Sequence, residues 1–482
     1  MENLIKALIY CSKGYEVYVV GGFARDLYLK RRHKDIDLAI SKSAEKFSKR
    51  AAAFLGAKLV VLDDLNKVYR IVLKDKNVAA NIDVSLFDGK TIEEDLNNRD
   101  FTINAVAFNI ADFKDYKSKM IFADKKCIAD LKNKTINTVS KNIFKKDPLR
   151  MLRAFRFAAE TGFRITQETL KLIKLNTKLI KKSAVERIKN EFFRILSASN
   201  AADILKIMDK SGLLSELFCE ISKMKKASKK YYYHPRGLFQ HSFETMEAAE
   251  NIINNLEKYF PDNFKELEEH FSRRETYSEN VSKVSLLKFS ALFHDIAKPE
   301  TAKKEDKKMR FFGHEQKGAV KIEKMMKALK MGKKEISDTK FLVENHMRPS
   351  TLTKNNIVTK KAALKFFRDI GENTPDLLLL SMADWHSYKR LKVFVPSELK
   401  MQEKSVRRLI HEYYEIKNAK PLPKLIDGNI VMKKFKLKPG PWLRDIIEFV
   451  ALAQQNGKIS NKKEALNLIS LKIVSVKKKY KI

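Results

Sequence analysis

A small mixed α/β head followed by a mostly α-helical body is the fold the sequence predicts, on three observations. Strand-like runs alternate with helical patterns up to about residue 110. A glycine pair, Gly21-Gly22, punctuates the first strand-to-helix step. From about Asp147 onward, apolar residues recur at three- and four-residue spacing almost throughout. In order, Glu16 to Val20 reads as a strand entering the glycine pair, and His33 to Ile40 reads as a second strand. Lys58 to Leu62, Val68 to Leu73 and Ala80 to Leu86 are three further strand candidates. Lys223 to Lys230 is basic and weakly apolar, a linker by composition, and Ser272 to Lys283 reads as a polar loop. Pro421 to Pro423 and Pro439-Gly440-Pro441 punctuate the C-terminal part, and no repeat of fixed period is present.

At 482 residues the chain is too long for one core, so several domains are expected. A hydrophobic share of 44% with 32% charged residues excludes global disorder. No apolar run is long enough to span a bilayer, and the first residues lack the basic, then apolar, pattern of a signal peptide. No membrane partner is expected. Cys11, Cys127 and Cys219 lie far apart without metal-ligand spacing, as in a reducing compartment, so the expected location is cytoplasmic. Lys and Arg total 97 against 59 acidic residues, a net charge of +38. Phosphate neutralisation would release counterions, so a polyanion such as RNA is the natural partner. A lysine-rich compositional bias accounts for part of the excess.

Chemistry first becomes specific at Gly21-Gly22-Phe23-Ala24-Arg25-Asp26. Two glycines before a helix let backbone approach a triphosphate, and the helix N-terminus favours anions. Alone, such a pair is a common turn. Asp35-Ile36-Asp37 follows on the next strand. Residues two apart on a strand share a face, so both carboxylates can hold divalent metal, and oxygen ligands suit Mg²⁺. Two ions so held would activate an attacking hydroxyl and stabilise departing pyrophosphate. An isolated Asp-x-Asp is most often a solvated strand edge; its company here reverses those odds.

A second constellation lies in the helical body. His241, His294-Asp295, His314, His346 and Asp384 are spread over successive helical stretches. Such residues can converge in a bundle to bind one or two divalent metals. A single histidine would more often be structural, but the adjacent His294-Asp295 changes the reading.

Taken together, these residues resemble the class II tRNA nucleotidyltransferases, the CCA-adding enzymes and their bacterial poly(A) polymerase relatives. The resemblance covers nearly the whole chain and implies a polymerase-β-like nucleotidyltransferase head. Gly21 to Asp37 matches the first motif, which implies that Asp35 and Asp37 are the catalytic metal ligands and that Arg25, with Asp26, serves the triphosphate. Arg99-Asp100-Phe101-Thr102-Ile103-Asn104 matches the second, ribose-recognising motif, with Asn98 where the family has a further arginine. Asp130-Leu131 matches a hinge motif, with Lys126 and Cys127 in place of glycines, which implies a stiffer hinge. Asp147-Pro148-Leu149-Arg150, with Arg153 and Arg156, matches the nucleotide-selecting motif, with Lys146 where the family has glutamate. There Asp and Arg act as a template, accepting from and donating to the incoming base. Ser183, Glu186, Arg187 and Glu191 match a motif that braces this helix. Ser85 to Thr91 is short where cytidine-adding members commonly carry a flexible loop, so addition of only the terminal A stands beside full CCA addition. Asp83 is either a third carboxylate near the metals or a structural polar residue.

The histidine set resembles the HD phosphohydrolase superfamily, with His241, His294, Asp295 and Asp384 on ligand positions and His314 and His346 like the extra ligands of two-metal members. A divalent metal of unspecified identity is implied, with hydrolysis of cyclic phosphates or phosphomonoesters as the chemistry. The expected division is a head over 1–140, a helical neck over 141–225, an HD domain over 230–395 and a tRNA-binding helical tail over 396–482. The expected partners are a tRNA 3′ end and ATP, with CTP as a further candidate. Rival readings are a poly(A) polymerase, an HD phosphohydrolase whose head only binds RNA, and a basic RNA-binding protein without turnover.

Overall fold

Alternation along the head strands decides which face carries chemistry. The computed structural model describes residues 2–480 except 32–34, 65–66, 74–80, 228–235, 274–276, 306–307, 354–357, 391–394, 420–422 and 456. His33, Ala80, Ser228 to Lys230 and Pro421 therefore lie outside the described residues. The head is a seven-stranded sheet: β1 (Val17–Val20), β2 (Ile36–Ile40), β3 (Lys58–Asp63), β4 (Val68–Val72), β5 (Asn81–Leu86), β6 (Val106–Asn109) and β7 (Ile121–Phe122). Their order is β3-β4-β5-β2-β1-β6-β7; β2 and β5 run parallel and the other neighbours antiparallel. Ile36, Leu38 and Ile40 of β2, with Ile82 and Val84 of β5, join Phe47 and Leu8 in the core under helices Glu2–Cys11 and Ala44–Phe54. With a period of two, Asp37 and Asp83 fall on the opposite face. The helical coverage of one face thus leaves the acids on the other.

The sequence reading found five of these strands and missed β6 and β7, whose short apolar runs carry no clear period. Asp35 stands one residue before β2 rather than inside it. The linker expected from Lys223 is helical as far as Lys226, within Cys219–Lys226, because Ile221 and Met224 bury one face three residues apart. Of the loop expected from Ser272 to Lys283, residues 274–276 lie outside the described residues; one helix ends at Ser272 and the next begins at Lys283. The body departs from all-helical in two places. Thr135–Ile136 (β8) pairs in parallel with Arg164–Ile165 (β9), and Lys303–Glu305 (β10) pairs with Lys308–Arg310 (β11).

Helices of the neck and the HD region share one continuous apolar interior, from Phe101 to Tyr414. A buried ion pair ties the two together. Lys288 Nζ donates to Glu250 Oε2 (2.8 Å) and to the Ala198 carbonyl (2.6 Å), and Glu250 accepts from the Ala202 amide (3.2 Å). Leaving either charge alone in that interior would cost about 3–5 kcal/mol. The C-terminal helices pack around their own core, with Trp442, Ile446 and Ile469 at its centre.

Candidate active sites

The polar face of the head sheet opens into a cavity of about 1000 Å³ that also borders the helix Arg150–Thr161. Gly21, Gly22, Arg25, Asp26, Asp35, Asp37, Arg99, Asp100, Asn104, Asp147, Arg150, Arg153 and Arg156 all line it, so the metal- and nucleotide-binding residues expected from the sequence meet here. Gly21 adopts a left-handed φ of +64°, and a Cβ there would lie 3.0 Å from Arg99 Nη1 and 3.5 Å from Asp37 Oδ2. Only glycine allows this turn to sit against the acid.

Three carboxylates, Asp35, Asp37 and Asp83, share the cavity. Asp83 lies in register beside Asp37, but Arg70 grips both its oxygens, Nε to Oδ1 at 2.7 Å and an Nη to Oδ2 at 2.8 Å. Asp35 accepts from the Asn81 amide (3.1 Å). Burial, and then the charge of Asp83, push the Asp37 carboxyl up to about 6, against the pull of Arg99. Among the described residues neither Asp35 nor Asp37 forms an ion pair, and two such acids, crowded by a third, are a donor set that fits a divalent cation with oxygen ligands.

Around them the cations are mostly engaged. Arg25 donates to Asn104 Oδ1 (2.8 Å) and to Asp26 (2.8 Å), and Asn104 in turn donates to Asp100 (3.2 Å). Arg153 donates to the other Asp100 oxygen (2.7 Å), and this holds the Asp100 carboxyl below its ordinary range although burial pushes the other way. Arg156 pairs with Glu191 (2.6 Å) and Glu160 (2.8 Å), and Arg187 with Asp147 (3.0 Å), so the expected brace of Arg187 and Glu191 contacts the selector residues directly. Arg150 differs. Its Nη1 is buried without a hydrogen-bond partner, beside a cavity that could supply one.

Two departures from the family pattern meet in space. Lys146 Nζ donates to Asn98 Oδ1 (3.1 Å), and Asn98 Nδ2 donates to the Asp88 carbonyl (2.8 Å). Asp88 also donates its amide to Asp95 (2.9 Å), which pins the short connection after β5 to the next helix. Asp130 of the hinge motif is held by Thr135 (2.9 Å) and Asn137 (2.8 Å).

The second site is a histidine cluster in the HD region. His294 and His346 stand at helix C-caps, and His314 opens a helix. Each donates Nδ1–H to a carbonyl three residues back: Ala291 (2.8 Å), Val343 (2.7 Å) and Phe311 (2.8 Å). Ser387 donates its hydroxyl to the Asp384 carbonyl (2.6 Å), so its oxygen accepts from His241 Nδ1 (3.0 Å). All four rings therefore turn Nε2 inward. His241 and His294 Nε2 lie 3.3 Å apart, as do those of His314 and His346.

Asp295 sits between the two pairs. Its Oδ2 is 3.4 Å from His241 and 3.3 Å from His294; its Oδ1 is 3.4 Å from His314 and 3.6 Å from His346. Asp384 Oδ1 completes the first group, 3.2 Å from His241. Lone pairs facing lone pairs around a bridging carboxylate fit divalent cations of the kind that take imidazole and oxygen ligands together. All six residues expected from the sequence converge. Lys298, 2.5 Å from Asp295, was not singled out, although its place three residues on in the same turn was a signal. Together with His294 it holds the Asp295 carboxyl well below its usual range, against burial. Arg70 and Ser387 were also missed, because their partners lie on other elements.

Fold and cavity define a nucleotidyltransferase head joined to a histidine–aspartate metal centre. Comparison with known proteins agrees. Residues 17–137 match the family described as the poly A polymerase head domain, 162–225 the probable RNA and SrmB-binding site of polymerase A, and 238–389 the HD domain. The chain thus carries a poly A polymerase head domain and an HD domain, and it is similar along nearly its whole length to tRNA nucleotidyltransferases. It is 26% identical over 458 residues to the CC-adding tRNA nucleotidyltransferase of Thermus thermophilus, covering 93% of this chain and 92% of that one. It is 25% identical over 456 residues to the A-adding enzyme of Deinococcus radiodurans, covering 93% of each. Its fold matches the CCA-adding enzyme of Thermotoga maritima solved with tRNA, at a TM-score of 0.63 and 20% identity over 98% of this chain and 95% of that one. Among the described residues no helix is long and apolar enough to cross a membrane.

Proposed function

We propose that the chain extends the 3′ end of tRNA from nucleoside triphosphates, with release of pyrophosphate. The observation that carries the reading is the single cavity holding Asp35, Asp37, the Gly21-Gly22 turn and the Asp147–Arg150 selector. Asp35 and Asp37 would hold Mg²⁺, which would supply charge neutralisation at the triphosphate and ease loss of the attacking hydroxyl's proton. The 3′ oxygen of the tRNA bonds to the α-phosphorus while the bond to the β-phosphate breaks. Gly21 and Gly22 admit the phosphates, and Arg99 stands over them. Asp100, fixed by Arg153 and Asn104, takes the ribose hydroxyls. Asp147 accepts from the base and Arg150 donates to it.

ATP is the favoured nucleotide in this reading, because the connection after β5 is short and held by Asp95 and Asn98. The second reading, addition of C, is favoured by the likeness to the CC-adding Thermus enzyme. Primer extension on tRNA transcripts ending at the discriminator base, at C and at CC, with ATP, CTP or both, separates them. One A added to the CC end and nothing elsewhere supports the first; long tails on unstructured RNA would replace both with a poly(A) polymerase.

For the histidine centre we propose hydrolysis of phosphoesters at RNA ends. His241, His294, Asp295, Asp384, His314 and His346 would hold divalent metal there, which would supply an activated water. Asp295 is shared between the two ligand groups, and Lys298 keeps it ionised. The four units proposed are 1–140, 141–225, 230–395 and 396–482, the last a tRNA-binding tail. The cytoplasm is the proposed location.

A further inference from the structure

Between the Asp295 turn and His314 the chain makes the β10–β11 hairpin, and nothing in the transfer reaction uses it. The hairpin's root forms a wall of the histidine centre. The Phe311 carbonyl accepts from His314 Nδ1 (2.8 Å), and Lys298 lies 2.5 Å from Asp295 and 5.4 Å from the centre of the Phe311 ring. Phe312, two residues before the ligand, is left 70% exposed. In the hairpin, Lys303 stands directly across from Arg310. Like charges directly opposed in a strand pair repel. Both are exposed, as is Lys304, and among the described residues none of the three has a carboxylate within ion-pair distance. Glu305 is the one acid on the two strands. Arg310 is four residues from His314, so their Cα atoms are at most about 14 Å apart, a reach of one or two nucleotides.

We infer that the β10–β11 hairpin and Phe312 form the entry surface through which the histidine centre receives the end of a single RNA strand, in preference to a free nucleotide. The inference rests on the hydrolytic reading of that centre. A repelling cation pair is relieved when an anion bridges it, and a bare aromatic ring gains from a base stacked on it, about 1–3 kcal/mol per base. A strand end offers both at once: its last phosphate enters the centre, the preceding phosphate meets Lys303 and Arg310, and a base covers Phe312. A mononucleotide has one base and the phosphate that is consumed, with no preceding nucleotide whose phosphate and base could meet Lys303, Arg310 and Phe312 together. At a 2′,3′-cyclic end, a water oxygen bonds to phosphorus and one phosphorus–ribose oxygen bond breaks. The freed ribose oxygen takes up the proton that the water gives, leaving a phosphomonoester.

The test compares hydrolysis of a hexanucleotide ending in a 2′,3′-cyclic phosphate with that of 2′,3′-cyclic CMP. The whole chain is used, supplied in turn with Mg²⁺, Mn²⁺, Co²⁺ and Ni²⁺. The expected ratio of kcat/KM, oligonucleotide over nucleotide, is at least tenfold. Phe312→Ser and the double variant Lys303→Glu/Arg310→Glu should each collapse that ratio towards one, chiefly through KM. A ratio near one in the unaltered chain, or a ratio that the variants leave in place, overturns the inference. If neither compound is hydrolysed with any metal, the hydrolytic reading fails, and a second arm still tests the surface. A hexanucleotide carrying 4-thiouridine beside its phosphorylated end is photo-crosslinked and the adduct located by mass spectrometry. An adduct within residues 303–305 or 308–312 upholds the surface; crosslinking confined to other segments overturns it.

Discussion

The head cavity and the histidine centre both gather acids for metal, yet they are finished to different degrees. In the histidine centre every ring is oriented by a backbone carbonyl or Ser387, and the ligand atoms approach one another to between 3.2 and 3.7 Å. The head cavity is open at about 1000 Å³, and its acids lie at the end of β2 beside a glycine turn. Most of its arginines are paired, whereas the buried Nη1 of Arg150 is not. The contrast is between a cluster whose side chains are each fixed by a hydrogen bond and an open cavity with a polar group left over.

The sharpest way to break that comparison is to disable one centre and read the other. Asp35→Ala or Asp37→Ala should lower ATP incorporation about 10³-fold or more, measured by primer extension, while RNA binding by filter retention and phosphoester hydrolysis persist. Asp295→Ala should do the reverse: hydrolysis and bound metal, counted by mass spectrometry, are lost and incorporation stays. Loss of both activities in either variant would mean that the two sites are not separate.

Arg150→Ala should cost about 1–3 kcal/mol of discrimination between nucleotides, seen as a narrowed ratio of kcat/KM for ATP over GTP; an unchanged ratio would remove Arg150 from selection. A smaller effect is expected in acid. The Asp376 carboxyl is buried, which pushes it up, but His270 at 2.6 Å and Lys283 at 3.3 Å hold it below its ordinary range. Its contribution is therefore complete above the unfolded carboxylate pKa of about 3.9 and is lost as pH falls through the lower folded value. Melting temperatures of Asp376→Asn and the unaltered chain should differ at pH 6 and converge towards pH 3. The smallest effect is set at Lys146 and Asn98, an exposed pair worth about 1 kcal/mol or less. Lys146→Glu should slow incorporation a few-fold, and adding Asn98→Arg should restore it; no recovery in the double variant would make the contact incidental.

What could be read in the sequence was local. Gly21-Gly22, Asp35-x-Asp37 and His294-Asp295 carry their geometry in their spacing, because strands and turns fix which neighbours share a face. The strands β6 and β7 escaped notice since runs as short as Ile121–Phe122 have no period to detect. The helix through Lys226 was hidden by its lysines, although Ile221 and Met224 pointed to it. Arg70 with Asp83, Lys146 with Asn98, and Ser387 with His241 are pairs made by topology alone, and no spacing along the chain announces them.

The ion pair of Lys288 and Glu250 has a consequence for how the molecule comes apart. It fastens the junction of two neck helices to the HD helices inside one unbroken interior, so the Arg150 helix and the histidine centre stand on a single shared core. On heating, that core yields as a unit, while the C-terminal helices around Trp442 are free to melt on their own schedule.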